Sequence, residues 1–243
     1  MVKKKLGYLF LMVVPFLLGC SMYWNSPRTV EVELKPVVVE EPVEEKEFNY
    51  EEYIKNLRIQ YNNQDIVAIL QFPNLFEEVV VQTDNNDYYL NHTKTREVLE
   101  AGATFLDYRT NLFTSKKLLI YSHSDPWDQL PFTNLKKYNK KDFFNANPYI
   151  YLIDSKGKHT YEVFSSYIEN KDFDYVNVEN FGGLTYKQHL EKLRKKSFVY
   201  KKIELTEESK VLVLQTCSFD ERVSGNSKYQ ILVAKEIEEE SDK

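Results

Sequence analysis

The sequence predicts a mainly β domain of about ten strands with few helices, closed or nearly closed into a barrel. Three observations carry this. Short apolar runs of strand length alternate with turn residues from Ile66 to Ile237. Only two stretches repeat apolar residues at spacings of three and four. The 18 Tyr and 15 Phe supply core and groove material, whereas 7 Gly is few.

Taken in order, residues 1–24 read as an export signal or membrane anchor. Lys3, Lys4 and Lys5 form a positive start, and Leu6–Gly19 is apolar. Leu17-Leu18-Gly19-Cys20 resembles a lipoprotein signal-peptidase box, which makes Cys20 a lipidation candidate. The alternative is an uncleaved transmembrane anchor, although the run is short against the ~20 residues a span needs. In both cases the positive end stays inside, so the remainder is expected on the extracytoplasmic face of the cell membrane. Residues 25–47 are rich in Pro, Val and Glu and read as an extended acidic spacer. Residues 48–237 form the globular domain, and 238–243 an acidic tail.

Within the domain, Tyr50, Tyr53, Ile54, Leu57 and Tyr61 mark an amphipathic helix over 49–61. The expected strands are Ile66–Phe72, Glu77–Gln82, Tyr88–Leu90, Thr104–Tyr108, Lys117–Ser122, Tyr149–Asp154, His159–Ile168, Val199–Leu205, Val211–Thr216 and Tyr229–Ile237. Asp84-Asn85-Asn86-Asp87 and Asp154-Ser155-Lys156-Gly157-Lys158 signal turns. Leu190 and Leu193, set among basic residues, mark an extra helix over 185–197 between late strands. Asn134–Tyr138, with Lys136 and Lys137, reads as a solvated turn.

Formal net charge is −5, and the acid is concentrated in Glu31–Glu47 and Glu236–Asp242. A broad polyanion-binding surface is therefore not expected, and nucleic acid is not among the expected partners. No carboxylate cluster has metal-ligand spacing and no Gly-rich phosphate loop occurs, so neither metal nor cofactor is expected.

The chain has two cysteines. Cys20 belongs to the N-terminal run, so Cys217 has no intramolecular partner within the domain. It closes the apolar strand Val211-Leu-Val-Leu-Gln-Thr and is placed as a nucleophile or as a small apolar filler. A nucleophilic thiol needs a partner that takes a proton and later returns it. Of the four histidines, His92, His159 and His189 fall in polar or helical contexts that read as exposed. His123 ends the apolar strand Leu118-Leu119-Ile120-Tyr121 and is well placed to face a groove.

These motifs, in this order, resemble a class B sortase, a cysteine transpeptidase of the bacterial surface. The resemblance spans roughly 49–237 and implies a closed β-barrel of about eight strands, with an N-terminal helix and an extra helix between late strands. Asp87-Tyr88-Tyr89-Leu90 and Gly102-Ala103-Thr104-Phe105-Leu106-Asp107-Tyr108-Arg109 are similar to the family's early strands. Leu119-Ile120-Tyr121-Ser122-His123 is similar to its histidine strand, with Ser122 where glycine is common. Phe132–Tyr138, Asn147-Pro148-Tyr149-Ile150 and Tyr161-Glu162-Val163-Phe164 follow. Leu214-Gln215-Thr216-Cys217-Ser218 resembles the nucleophile strand, and the helix over 185–197 the insertion that marks class B.

The resemblance implies that Cys217 attacks the threonine carbonyl of an Asn-Pro-x-Thr sorting signal on a surface protein. His123 would act as general acid and base, with backbone near Thr216 and Cys217 helping to hold the oxyanion. A peptidoglycan precursor or a pilin lysine would supply the acceptor amine. The family's third residue is an arginine at the start of the last strand, which stabilises substrate and oxyanion. This chain departs from that pattern. Arg222 follows Cys217 closely, Lys228 stands near the expected place, and a site without a third cation is the remaining possibility. That irregularity motivates a rival reading, a degenerate sortase-fold lipoprotein acting as a surface binding or scaffold module. A papain-like peptidase would need the cysteine before the histidine, the reverse of the order here.

Overall fold

The computed structural model describes residues 48–221, 223–225 and 227–237. The expected anchor, the spacer, the tail, Cys20 and Arg222 lie outside the described residues. Among the described residues, no helix is long and apolar enough to cross a membrane.

Nine strands form one sheet: β1 (Ile66–Phe72), β2 (Phe76–Val81), β3 (Thr104–Leu106), β4 (Lys117–Tyr121), β5 (Tyr149–Ile153), β6 (Lys158–Glu169), β7 (Val199–Tyr200), β8 (Val211–Cys217) and β9 (Tyr229–Ile237). They run in the order β5-β1-β2-β3-β4-β8-β9-β6, and β6 pairs back onto β5. That closes an eight-stranded barrel, with β7 appended to β6. The β2–β3 and β4–β8 pairs are parallel, and the others are antiparallel.

The interior is one cluster to which all eight barrel strands contribute, including Leu70, Val80, Leu106, Ile120, Ile150, Val163, Leu214 and Leu232. The intervening residues of β4, β8 and β9 face outward, yet they are buried too. Leu119, Val213, Ile231 and Val233 pack beneath helix α3 (Tyr186–Lys195) through Leu190 and Leu193. A strand covered on both faces reads as a continuous apolar run rather than an alternation, which is why Val211–Leu214 stands out in the sequence. On the opposite flank, helix α1 (Tyr50–Gln60) places Ile54 and Leu57 against Ile66, Ile69, Val79 and Val81. Both helices begin at side-chain caps. Asn49 accepts from the Glu52 amide, and Thr185 with Gln188 forms a reciprocal capping box.

Four expectations are corrected. Tyr88–Leu90 is a 3-10 turn, not a strand. The Asn85 side chain accepts from the amides of Asp87 and Tyr88, which bends the chain there, and the Tyr89 ring is buried. Only Val199–Tyr200 of the run 199–205 pairs in the sheet. The chain then leaves to bury Leu205 beneath α3. Asn134–Tyr138 belongs to a 3-10 helix, Pro131–Asn139, followed by α2 (Lys141–Ala146). Phe132, Leu135 and Tyr138 join the barrel interior from this segment. Asn139 also bonds to Gln230 and Ser166, tying the segment to β9 and β6. Its three-residue apolar spacing is too short to register as an α-helical period. Finally, His189 is buried, 1% exposed, instead of standing on a solvated helix face.

Candidate active site

Parallel pairing of β4 with β8 builds the site. Tyr121 lies opposite Gln215 in register, and the ladder continues with the Ser122 amide donating to the Gln215 carbonyl (3.2 Å). His123 and Cys217 each stand two positions further on. Neighbouring strands lie about 4.8 Å apart, so equal offsets on two parallel strands bring the imidazole and the thiol to one rim. An antiparallel pair would have sent them to opposite ends.

Cys217 is exposed and has no disulfide partner. Partial burial pushes its thiol up from the ordinary value. His123 Nε2 donates to the Leu90 carbonyl (2.8 Å), which leaves Nδ1 as the acceptor of the neutral ring. The Ser124 hydroxyl donates to the Cys217 carbonyl (2.7 Å) and locks the two strand ends together.

Both side chains line a cleft of about 580 Å³. Asn86, Asp87 and Leu90 form one wall and Phe173, Tyr175 and Val176 the other, with Phe105, Tyr121 and Tyr229 completing an apolar interior. The walls come from segments before His123 and after β6. Sequence reasoning named none of these lining residues, because loop aromatics carry no periodic signal.

A buried carboxylate ties the walls together beneath the floor. Asp107 accepts from Asn86 of the first wall (3.0 Å), from the Tyr121 hydroxyl (2.8 Å) and from two Arg109 nitrogens (2.9 and 2.7 Å). Arg109 also donates to the Val176 carbonyl of the second wall (3.1 Å). Burial alone would raise the Asp107 pKa, but these hydrogen bonds outweigh it and hold the carboxyl below its usual value.

Lys117 is the second fixture. It is 2% exposed, and its ammonium bonds to the carbonyls of Tyr175 and Asn177 (both 2.7 Å) and to His189 Nε2 (2.9 Å). Burial, with Arg109 nearby, pushes Lys117 down to about 7. Burial and the Lys117 charge push His189 down to about 3, so its ring stays neutral. Lysine in an otherwise apolar run, Lys117-Leu-Leu-Ile, was the one available signal for this site.

Lys228 precedes β9 and donates to the Asp220 carbonyl (2.7 Å), bracing the loop after Cys217. It does not line the catalytic cleft. His92 is half-buried against the Tyr88 carbonyl and stacks on the Tyr88 ring. His159 is also half-buried, with Nδ1 on Glu236 (2.8 Å) and Nε2 3.1 Å from Asp154. The Asp154 and Glu236 carboxylates raise it to about 9. Neither of these histidines reaches Cys217, and both are less exposed than their sequence contexts suggest. Among the described residues, no group of three or more His, Cys, Asp or Glu side chains is arranged to hold a metal.

A sequence model of the sortase domain matches residues 76–237, about two-thirds of the chain. The chain belongs to the sortase family. Sortase B of Listeria monocytogenes is 30% identical over 161 residues, 65% of this chain and 65% of that protein's length. The crystal structure of Clostridium perfringens sortase B superposes with a TM-score of 0.68 at 30% identity, covering 76% of this chain and 99% of that one. A Staphylococcus aureus sortase B–substrate complex superposes with a TM-score of 0.69 at 26% identity, covering 77% and 85%. Class B sortases are cysteine transpeptidases, and this sortase shares their fold.

Proposed function

We propose that this sortase is a class B transpeptidase that cleaves an Asn-Pro-x-Thr type sorting signal and transfers the acyl group to a cell-surface amine. The observation that carries the reading is the parallel β4–β8 register, which ends both strands at one rim, with His123 and Cys217 both lining the same apolar cleft. Cys217 gives up its proton to His123, and its sulfur attacks the threonine carbonyl. The carbon–nitrogen bond breaks as His123 returns that proton to the departing amine. The thioacyl-enzyme that remains is resolved by the incoming amine. Backbone around Thr216 and Cys217 helps hold the oxyanion. Arg222 supplies the cationic third group, with Lys228 as the alternative. The Lys228 commitment to the Asp220 carbonyl supports that order.

Residues 1–24 hold the enzyme at the outer face of the cell membrane. Mass spectrometry of the N-terminal peptide separates a lipidated Cys20 from an uncleaved anchor.

The full-length protein, given an Asn-Pro-x-Thr peptide and hydroxylamine, is expected to release a hydroxamate. Cys217→Ala is expected to abolish this. The absence of product from the intact protein, where a known sortase B succeeds, would overturn the reading. Arg222→Ala and Lys228→Ala identify the third group, which is the one whose loss removes most of the turnover while the fold is kept.

Two observations favour the scaffold reading instead. At rest the thiol is pushed up and His123 is committed to Leu90. Thiol labelling against pH separates the two, because a scaffold leaves Cys217 inert across the neutral range.

A further inference from the structure

Cys217 stands on a ridge between two clefts, and only one belongs to the site described above. The second, of about 590 Å³, lies on the far side of the thiol between the 3-10 helix Pro131–Asn139 and the loop after Cys217. Its lining differs in kind. The catalytic cleft contains no lysine, whereas Lys136, Lys137 and Lys140 all face the second one. Asp128 and Asp220 are the carboxylates on its rim. Lys136 is paired with Asp128. Lys137 and Lys140 form no ion pair among the described residues. Thr216, the residue before the nucleophile, also lines this cleft, and its buried hydroxyl has no hydrogen-bond partner among the described residues. A buried hydroxyl without a partner is costly and marks a place where something polar is missing.

Resting on the transpeptidase reading, we propose that this basic cleft is the acceptor site, and that it takes a peptide amine bearing a free carboxylate. An acyl transferase must present two different partners to one sulfur. The fixed residues of the proposed sorting motif, Asn, Pro and Thr, are uncharged, which suits the apolar cleft. The lysine pair suits an anion. With the carboxylate held by Lys137 and Lys140, the amine at the other end points back to the ridge. Its nitrogen attacks the thioester carbonyl carbon and the carbon–sulfur bond breaks. His123 takes the proton lost by the amine and delivers it to the Cys217 sulfur. The products are an amide and the free thiol. Nearby ammonium groups also disfavour protonation of the incoming amine and so keep it nucleophilic.

The test uses the full-length protein, a sorting-type peptide, and three nucleophiles: triglycine, triglycine amide and hydroxylamine. Triglycine is expected to show a KM about fivefold below that of its amide, the scale of a pair of partly exposed charge contacts. Lys137→Ala/Lys140→Ala should raise the triglycine KM to the amide value, and Lys137→Glu/Lys140→Glu should favour the amide. Hydroxamate release by hydroxylamine should be unchanged in both variants. A triglycine preference that is absent, or that persists in the glutamate variant, overturns the acceptor site while leaving the transpeptidase reading intact. If hydroxylamine itself gives no product, the transpeptidase reading fails and the acceptor site with it.

Discussion

The two walls of the catalytic cleft are held by different physics. The first, around Asn86–Leu90, is anchored by an aromatic ring. Tyr89 packs with Ile54, Leu57 and Phe105, and its hydroxyl donates to Asp65 (2.7 Å) and accepts from Asn63 (2.8 Å). Gly102 permits the close approach behind it. Its φ is +58°, and a Cβ there would lie 2.4 Å from the Tyr89 carbonyl oxygen. The second wall, Phe173–Val176, hangs from charges. Lys117 and Arg109 hold three consecutive carbonyls, those of Tyr175, Val176 and Asn177.

The difference assigns the walls different tasks. The packed wall presents the Leu90 carbonyl that orients His123, and the buried Tyr89 ring next to Leu90 holds that segment in place. The charged wall shapes the cleft through a loop whose backbone carbonyls are held by the two cations, while Tyr175 packs into the cluster beneath α3. Its pin also tolerates loss of a proton. As an ammonium, Lys117 donates three bonds, the third to His189 Nε2. As a neutral amine it donates two and accepts from a His189 tautomer that carries its proton on Nε2. His189 is buried against Lys117, which its place on a basic helix conceals.

The largest effect is expected from breaking the packed wall. Tyr89→Ala should cost about 4 kcal/mol of stability, as large aromatic truncations in a core do. Urea unfolding measures it, and a loss below about 1 kcal/mol would show that the ring is not the anchor.

Breaking the charged wall should cost less stability but more substrate recognition. Lys117→Met leaves the Tyr175 and Asn177 carbonyls without their donor, an expected loss of about 2 kcal/mol. The KM for the sorting peptide should rise about tenfold, a 1.4 kcal/mol change, while hydroxylamine still resolves the acyl-enzyme at the native rate. An unchanged peptide KM would mean that the wall stands without its pin. The same variant sharpens the comparison through pH. Lys117 sits at about 7 in the fold, against 10.5 for a free lysine. Between those values the unfolded chain binds the extra proton, so this group makes stability rise with pH across that window. Lys117→Met should flatten the rise, and Tyr89→Phe should leave it intact.

The smallest effect is expected at the link between the walls. Arg109→Lys keeps the charge but loses the fork that reaches both Asp107 and Val176. About 1 kcal/mol of stability and a threefold rise in peptide KM are expected. Equal KM values for this variant and the native protein would remove Arg109 from the wall.

Much of this was legible in the linear chain. Val211–Leu214 and Leu118–Tyr121 declare strands buried on both faces, and Cys217 and His123 each follow such a run. Asn49 and Thr185 announce the helix starts. The miscast segments are those where a side chain overrides local pattern. Asn85 turns Tyr88–Leu90 out of a strand, and Leu135 and Tyr138 pull a lysine-rich stretch into the barrel interior.

By itself the sequence determined the β class, the family resemblance, and which thiol and which imidazole end strands, because strand periodicity and apolar runs are local properties. Only the tertiary structure decided that those ends meet, that a lysine and a histidine are buried behind the cleft, and that a second, basic cleft opens across the sulfur. Each of these depends on which strand lies beside which. Parallel register and loop docking are set by contacts between residues tens of positions apart, and no stretch of chain carries them alone.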